Sequence, residues 1–523
     1  MSAPTVTDPR RRRAILVAVC VALMAVIASV SGLNVAQPQL ALEFDASQTE
    51  VLWFINIYTI SLAALLLPLG AIGDRWGRRP VLLAGLAVFG AASALAGLAP
   101  TSEVMLAARL LSGIGAAMIM PVTLAVITST FPDEERSKAI GVWTAVAGGG
   151  GILGMYLSAV LVDVADWRWL FALPVALVVV AAVAALRSVP NSREPSEHPL
   201  DVVGALASVV AVLGLVFFLH EGPDQGWGAP VTLASLAVGL LGAAGFARWE
   251  LRRTAPLLDV RLFRERGLAS GSAALLGVFG VQAGIFVVLF PFFQAVLGWS
   301  GLHATLALMP MAVLMMAASG LAPHLAARIG SRATMAAGIL LGGLGLALMA
   351  LLVSVDGGYA SVLPGMLAMG LGMGLSMTPS TEAITTALPR ERQGVASALN
   401  DVTRELGTAL GVALLGAVLA TGYGRAIDPH LGDLPAGTAA RAREGIANAL
   451  AAAGSEDRSL VRAAQDAFVD GWQQAMWAGV AVMAVLLGYV LLRGPGTGPR
   501  GTESTRNQSG KDVENPAPAP SSG

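Results

Sequence analysis

Fourteen separate stretches of about 20 mostly apolar residues run through this chain, each long enough to cross a bilayer as a helix. They lie near 14–37, 49–72, 80–99, 103–127, 138–162, 168–187, 201–220, 231–249, 268–294, 303–326, 332–353, 359–381, 394–420 and 472–492. Hydrocarbon offers no partner for a bare backbone N–H or C=O, so stretches of this length span as helices. The expected fold class is an all-α polytopic membrane protein. Composition agrees: of 523 residues 55% are apolar and 13% charged, about half the roughly 25% charge of a soluble domain. A large soluble enzyme and a disordered chain are both excluded.

Other chemistries lose support in the same way. A net charge of −1 offers no global field for nucleic acid. The single cysteine, Cys20, can form neither a disulfide within the chain nor a thiolate cluster. The histidines (His198, His220, His303, His324, His430) are scattered with no HxxxH or HExxH pair, so no metal site is expected. No GxxxxGK[ST] loop occurs, which removes ATP as a directly bound fuel, and no cofactor is expected.

The first apolar stretch follows Arg10 to Arg13, the charge pattern of a signal peptide. It is too long for one and runs on into Asn34 and Gln37, so it is read as a retained helix. Orientation follows from loop arginines and lysines. With the N-terminus inside, the inside segments hold 25 of the 33 basic residues and the short outside loops hold one, Arg168. Both termini are thus expected in the cytoplasm. The outside segment 421–471 holds five, but long loops escape the rule. Its small and apolar residues between Arg441 and Leu460 read as a solvated amphipathic segment on the outer face. Segment 493–523, rich in Pro, Gly and Ser, reads as a disordered cytoplasmic tail.

The chain echoes itself. Gly73-Asp74-Arg75-Trp76-Gly77-Arg78-Arg79 follows the second stretch, and Ala326-Ala327-Arg328-Ile329-Gly330-Ser331-Arg332 follows the tenth, 253 residues later. Pro132-Asp133-Glu134-Glu135-Arg136 is echoed by Pro389-Arg390-Glu391-Arg392 at an offset of 256 to 257. Two echoes at nearly one offset imply a duplicated six-helix unit with two helices inserted, 6+2+6, a plan that places a site at the repeat interface. The expected divisions are a cytoplasmic N-terminus 1–13, a bundle 14–187, two inserted helices with linkers 188–266, and a bundle 267–492 that includes the outer loop.

Charges at helix ends and within helices are the candidates for chemistry. Asp74 sits at the inner end of the second helix beside Arg75, Gly77 and Arg78, where it can pair with arginines or with a neighbouring helix N-terminus. A pairing made in one conformation and broken in another is a gate. Arg109 stands in an apolar helix, at a cost of at least about 2.5–3.5 kcal/mol on insertion scales, and should face the interior with a partner. Gly150 and Gly154 share one face of the fifth helix and permit close packing.

In the thirteenth helix Asp401, Arg404 and Glu405 fall in register at i, i+3 and i+4. Two carboxylates around one arginine titrate as a coupled set. In apolar surroundings a carboxyl takes up a proton more readily than in water. Glu382 is a weaker candidate. Asn34, Gln37, Gln282 and Gln294 could line a cavity otherwise built from Met, Phe, Leu and Ala.

The loop 70–79 resembles the signature between helices two and three of the major facilitator superfamily. Leu106-Ala107-Ala108-Arg109-Leu110-Leu111-Ser112-Gly113-Ile114-Gly115 resembles that superfamily's fourth-helix motif. The helix count, Trp167-Arg168-Trp169 and Pro256-Leu257-Leu258-Asp259-Val260-Arg261-Leu262-Phe263 narrow the resemblance to the fourteen-helix drug:proton antiporter family, the EmrB/QacA-like branch. The resemblance covers about residues 14 to 492 and implies the major facilitator fold. It further implies a role for Arg109 in proton relay and proton-driven efflux of drugs across a bacterial inner membrane.

The stretch Gly150 to Ala159 resembles the family's antiporter motif with departures: Met155 stands where proline is expected, and Ser158 and Ala159 replace a glycine pair. Family members commonly carry an aspartate five residues before Asn34, where this chain has Ser29, which cannot hold an exchangeable proton. The expected partners are a small molecule, protons and lipid, with one chain sufficient. The alternatives are a dedicated exporter of one metabolite and, from another class, an uncoupled sensor or scramblase.

Overall fold

The computed structural model describes residues 6–192, 200–432, 434–453 and 457–495, and of residues 31, 34, 35, 38, 48, 49, 163, 224 and 390 the backbone alone. Asn34, expected in a cavity, thus lies outside the described side chains, and all of the tail beyond Pro495 lies outside the described residues.

Among the described residues fourteen helices are long and apolar enough to cross a membrane. They are α1 (Pro9–Glu43), α2 (Gln48–Trp76), α3 (Arg78–Gly97), α4 (Ser102–Thr130), α5 (Asp133–Val164), α6 (Trp169–Ser188) and α7 (Val202–Gln225). After them come α8 (Pro230–Glu250), α9 (Arg266–Pro291), α10 (Met309–Ile329), α11 (Ser331–Leu352), α12 (Gly358–Ala387), α13 (Gln393–Ile427) and α14 (Arg458–Arg493).

Their ends follow from local chemistry. Ser47 and Glu50 close a capping box at the start of α2. Asp133, Glu134 and Glu135 place negative charge in the first turn of α5, where the helix dipole favours it. The two echoed segments form the same turn: Gly77 at φ 112° separates α2 from α3, and Gly330 at φ 89° separates α10 from α11. Both positions need the left-handed backbone that glycine adopts without cost.

Helix pairing repeats as the sequence echo requires. In the first half α1 packs on α5 and α6, α2 and α3 on α4, and α3 on α6. In the second half α9 packs on α13 and α14, α10 and α11 on α12, and α11 on α14, the same pairings eight helices later. The halves meet through α2 and α4 against α13 and through α5 against α10 and α12. Helices α7 and α8 form a hairpin in which α7 rests on α2 and α13.

The segment 421–471 differs from expectation. Helix α13 continues to Ile427 and α14 begins at Arg458, so both outlast their apolar runs. The remaining link holds two short helices, Ala436–Glu444 and Ile446–Ala453. It is docked rather than solvated: Ala442, Ile446 and Ala449 are buried, and Tyr423 Oη donates to the Ala442 carbonyl at 2.8 Å. On the same face of the molecule Arg168 pairs with Glu43 at 2.5 Å and Asp166 at 3.4 Å, joining the ends of α1 and α6. Glu43 first, then Asp166, hold the Arg168 guanidinium above its usual pKa.

Candidate functional site

Asp74 is the meeting point of the halves on the face where α1 begins. Its carboxylate accepts the Gly394 N–H at 2.8 Å through both oxygens and the Val395 N–H at 3.2 Å. Both donors belong to the first turn of α13, where unpaired N–H groups and the helix dipole attract an anion. Arg78 donates to the same carboxylate at 2.8 and 3.2 Å. Arg78 and Asp74 are both buried, whereas Arg75 is not. The helices touch here because both positions are glycine: a Cβ on Gly70 would stand 2.6 Å from the Gly394 carbonyl oxygen. Nearby, Ser137 Oγ of α5 donates to Glu382 of α12 at 2.7 Å. Glu382 thus bridges the halves on this face.

Arg109 is fully buried in α4. Its Nε donates to the Phe54 carbonyl at 3.0 Å, Nη1 donates to Ser29 Oγ at 2.9 Å, and the guanidinium lies 4.3 Å from the Tyr58 ring centroid. Among the described residues Nη2 has no hydrogen-bond partner. Neutral groups therefore solvate the cation where an acid would stand had position 29 been aspartate. A carbonyl, a hydroxyl and a π face stabilise the cation without neutralising it.

The charged set in α13 is looser than its spacing suggests. Asp401 is fully buried; its Oδ1 accepts from Arg404 Nη1 at 3.4 Å and Asn400 Nδ2 at 3.3 Å, and Oδ2 has no partner among the described residues. Arg404 spends its guanidinium on rings, 4.5 Å from Phe279 in α9 and 5.6 Å from Trp143 in α5. Among the described residues no ion pair or hydrogen bond reaches Glu405. Within the expected triad there is one long ion pair, and Glu405 lies within electrostatic reach of Arg404 and Asp401 without a hydrogen bond to either. Residues 404 and 405 leave the helix about 100° apart, so Arg404 turns to α9 and α5. Glu405 comes within electrostatic reach of Tyr58 on α2.

Beyond Arg404 lies a cavity of about 520 Å³ between the halves. Gln37 and Gln282 line it, with Met155, Phe279, Phe286 and Thr408. Gln282 is buried and its Oε1 lacks a partner. Thr408 follows Asp401 by about two turns, some 10 Å along α13. Gln294 is not part of this wall. After Pro291 the chain tightens into a π-helical turn, Phe292–Val296, and the shifted register leaves Gln294 exposed.

The fifth-helix glycines do bring helices together. A Cβ on Gly154 would stand 3.1 Å from the Ala28 Cα, and one on Gly150 would stand 3.1 Å from Met24, both in α1. Met155, where proline was expected, lines the cavity instead of kinking α5. Two interior contacts were missed in the sequence: the Thr144–Thr378 hydroxyl pair at 2.7 Å across α5 and α12, and Ser29 on Arg109. Small hydroxyl residues within spanning helices commonly form such cross-helix bonds and were the available signal.

Two bundles of matching pairing, an apolar cavity between them and ionisable groups buried beside it define a two-bundle membrane transporter. The family model for the Major Facilitator Superfamily matches residues 19–412. The multidrug efflux pump LfrA of Mycolicibacterium smegmatis is 32% identical over 490 residues, 93% of this chain and 96% of that protein. The multidrug resistance protein Stp of Mycobacterium tuberculosis is 32% identical over 466 residues, 87% of this chain and 86% of that protein. The crystal structure of the human organic anion transporter MFSD10 superposes with a TM-score of 0.61 at 15% identity, covering 92% of this chain and all of that one. The chain belongs to the Major Facilitator Superfamily, and it is a transporter rather than an enzyme.

Proposed function

We propose that the protein exports amphiphilic small organic compounds in exchange for protons, as a single chain, across a bacterial inner membrane. Both termini lie in the cytoplasm in this reading, as the basic loops require. Bundles 14–187 and 267–492 rock about the cavity while the hairpin within 188–266 rides beside them. Asp74, with Arg75, Gly77 and Arg78, forms the cytoplasmic gate. A proton from outside neutralises Asp401 or Glu405, with Arg404 and Arg109 setting the local field. Substrate and proton favour different orientations, and that difference in affinity couples them.

The observation that carries the proposal is the buried Asp401, with one oxygen unpartnered, about two turns below an apolar cavity. A carboxylate without full pairing in a dry interior gains most from taking a proton. The efflux and resistance roles in the names of LfrA and Stp point the same way. The test is proton release from purified protein on adding each of a panel of lipophilic cations and neutral amphiphiles. Release by several structurally unrelated compounds supports a multidrug exporter. Release by one metabolite alone moves the reading to a dedicated exporter. Efflux from proteoliposomes that is indifferent to the pH gradient removes proton exchange.

A further inference from the structure

A second pocket, of about 620 Å³, lies between the start of α9 and the end of α14, where their apolar spans begin and end. Phe263, Arg264, Arg266, Tyr489, Leu492 and Arg493 line it. We propose that this pocket binds the phosphodiester headgroup of an anionic phospholipid. Its arginines come from two elements about 230 residues apart in sequence, brought together where α14 leaves the bilayer and α9 enters it.

Three observations carry this. First, no acidic partner or hydrogen bond engages the side chain of Arg264, Arg266 or Arg493 among the described residues, while three other arginines on this face are spent within the protein. Arg78 is held by Asp74, Arg12 by Glu135, and Arg332 donates to the Gly494 carbonyl at 2.8 Å. Glu265, exposed beside them, is the one acid between the two arginines of α9's entry, so the wall stays net positive. Second, the guanidiniums stand beside apolar surface at the membrane boundary. Leu492 is 78% exposed, and Phe263 and Tyr489 are exposed rings. A free anion has no use for such a floor, whereas glycerol and the first acyl carbons would cover it. Third, planar guanidiniums match phosphate oxygens in paired N–H···O bonds, and an aromatic at headgroup depth packs beside them. Arginines kept only to orient the helices would have no reason to converge on one pocket.

The energetic expectation is set by surface electrostatics: each basic residue near an anionic leaflet strengthens attachment about fivefold. The test measures lipid bound to purified full-length protein by native mass spectrometry, titrating phosphatidylglycerol against phosphatidylcholine. Arg264→Gln, Arg266→Gln and Arg493→Gln singly should each weaken phosphatidylglycerol retention about fivefold, and the triple variant on the order of 100-fold. A control of equal charge loss on the same face, Arg187→Gln with Arg252→Gln and Arg328→Gln, should change retention less than about threefold. Inorganic phosphate should fail to displace the lipid at tens of millimolar.

Several results overturn the proposal: equal retention of phosphatidylcholine, equal loss in the control, or full displacement by inorganic phosphate, which would make the pocket a soluble-anion site. If the triple variant does not fold, unchanged retention in all three single variants overturns it as well.

Discussion

Asp74 of α2 grips an N–H in the first turn of α13, that of Gly394, with both carboxylate oxygens at 2.8 Å, across 320 residues of sequence. The same carboxylate carries the Arg78 ion pair. One side chain thus ties together α2, the α2–α3 turn and the opposite half of the molecule. The tie must break whenever α2 and α13 separate, so its strength weights one orientation over the other.

The first prediction follows. In Asp74→Asn the amide oxygen can still meet the Gly394 N–H, but the charge opposite Arg78 and the helix dipole is gone. Active efflux should fall to less than about a tenth, while substrate affinity stays within about threefold, because the cavity does not include this residue. Equilibrium binding and transport, measured on one folded preparation, decide the matter. Loss of binding in a folded variant would remove Asp74 from gating.

How much of this was legible without coordinates depends on what each feature needs. The fourteen spans and the two turns at Gly77 and Gly330 follow from apolar length and from glycine, both local properties. The contact of Asp74 with a helix N-terminus was legible as a type, though not which helix, since the partner lies 320 residues away. Spacing put Glu405 with Arg404, and the structure keeps the two within electrostatic reach while Phe279 and Trp143 take the faces of the guanidinium from other helices. Gln294 was misplaced because a π-helical turn after Pro291 shifts the face, which no apolar periodicity records. The ends of α13 and α14 ran past their apolar stretches because the short outer helices cover them there.

Helix proximity gives a second prediction, about stability. Helices α9 and α13 touch backbone to backbone at Gly280 and Gly411, and a Cβ on Gly411 would overlap the Gly280 carbonyl. Gly411→Ala should therefore destabilise the protein by about 1–3 kcal/mol through overpacking. Gly424, near the end of the same helix, faces open space, and Gly424→Ala should stabilise by about 0.5–1 kcal/mol. Unfolding of both variants in one detergent reads the contrast. Equal shifts for the two would remove the close contact as the cause.

A third prediction concerns orientation. A tag at Gly454 should be reached by protease in intact spheroplasts, and one between Thr505 and Arg506 should be protected until the membrane is opened. Both positions lie outside the described residues, so the expectation rests on the basic loops and the even count of spans. Cleavage of the second tag in sealed spheroplasts would defeat the topology, and with it the assignment of Asp74 to a cytoplasmic gate.

The last prediction joins α13 to the buried arginine of α4. Asp401, buried with one oxygen unpartnered, and the half-buried Glu405 one turn on are the carboxylates of α13 in the second half. In the first half Arg109 has a hydroxyl, Ser29, where a carboxylate could stand. If the exchangeable proton resides on α13, Asp401→Asn or Glu405→Gln should abolish substrate-induced proton release and uphill efflux. Downhill exchange of substrate should persist, since it needs no proton cycle. Ser29→Asp in the wild-type background would set a carboxylate against Arg109 within the reach of the present 2.9 Å bond and form a buried ion pair. Added to the α13 variants, it should restore part of the proton release, because it returns a titratable group to the interior. Asp401→Asn combined with Glu405→Gln is the deciding variant. Full proton-coupled efflux in it would leave the α13 acids structural and move the proton site to Asp74, with Arg109 as its partner in setting the field.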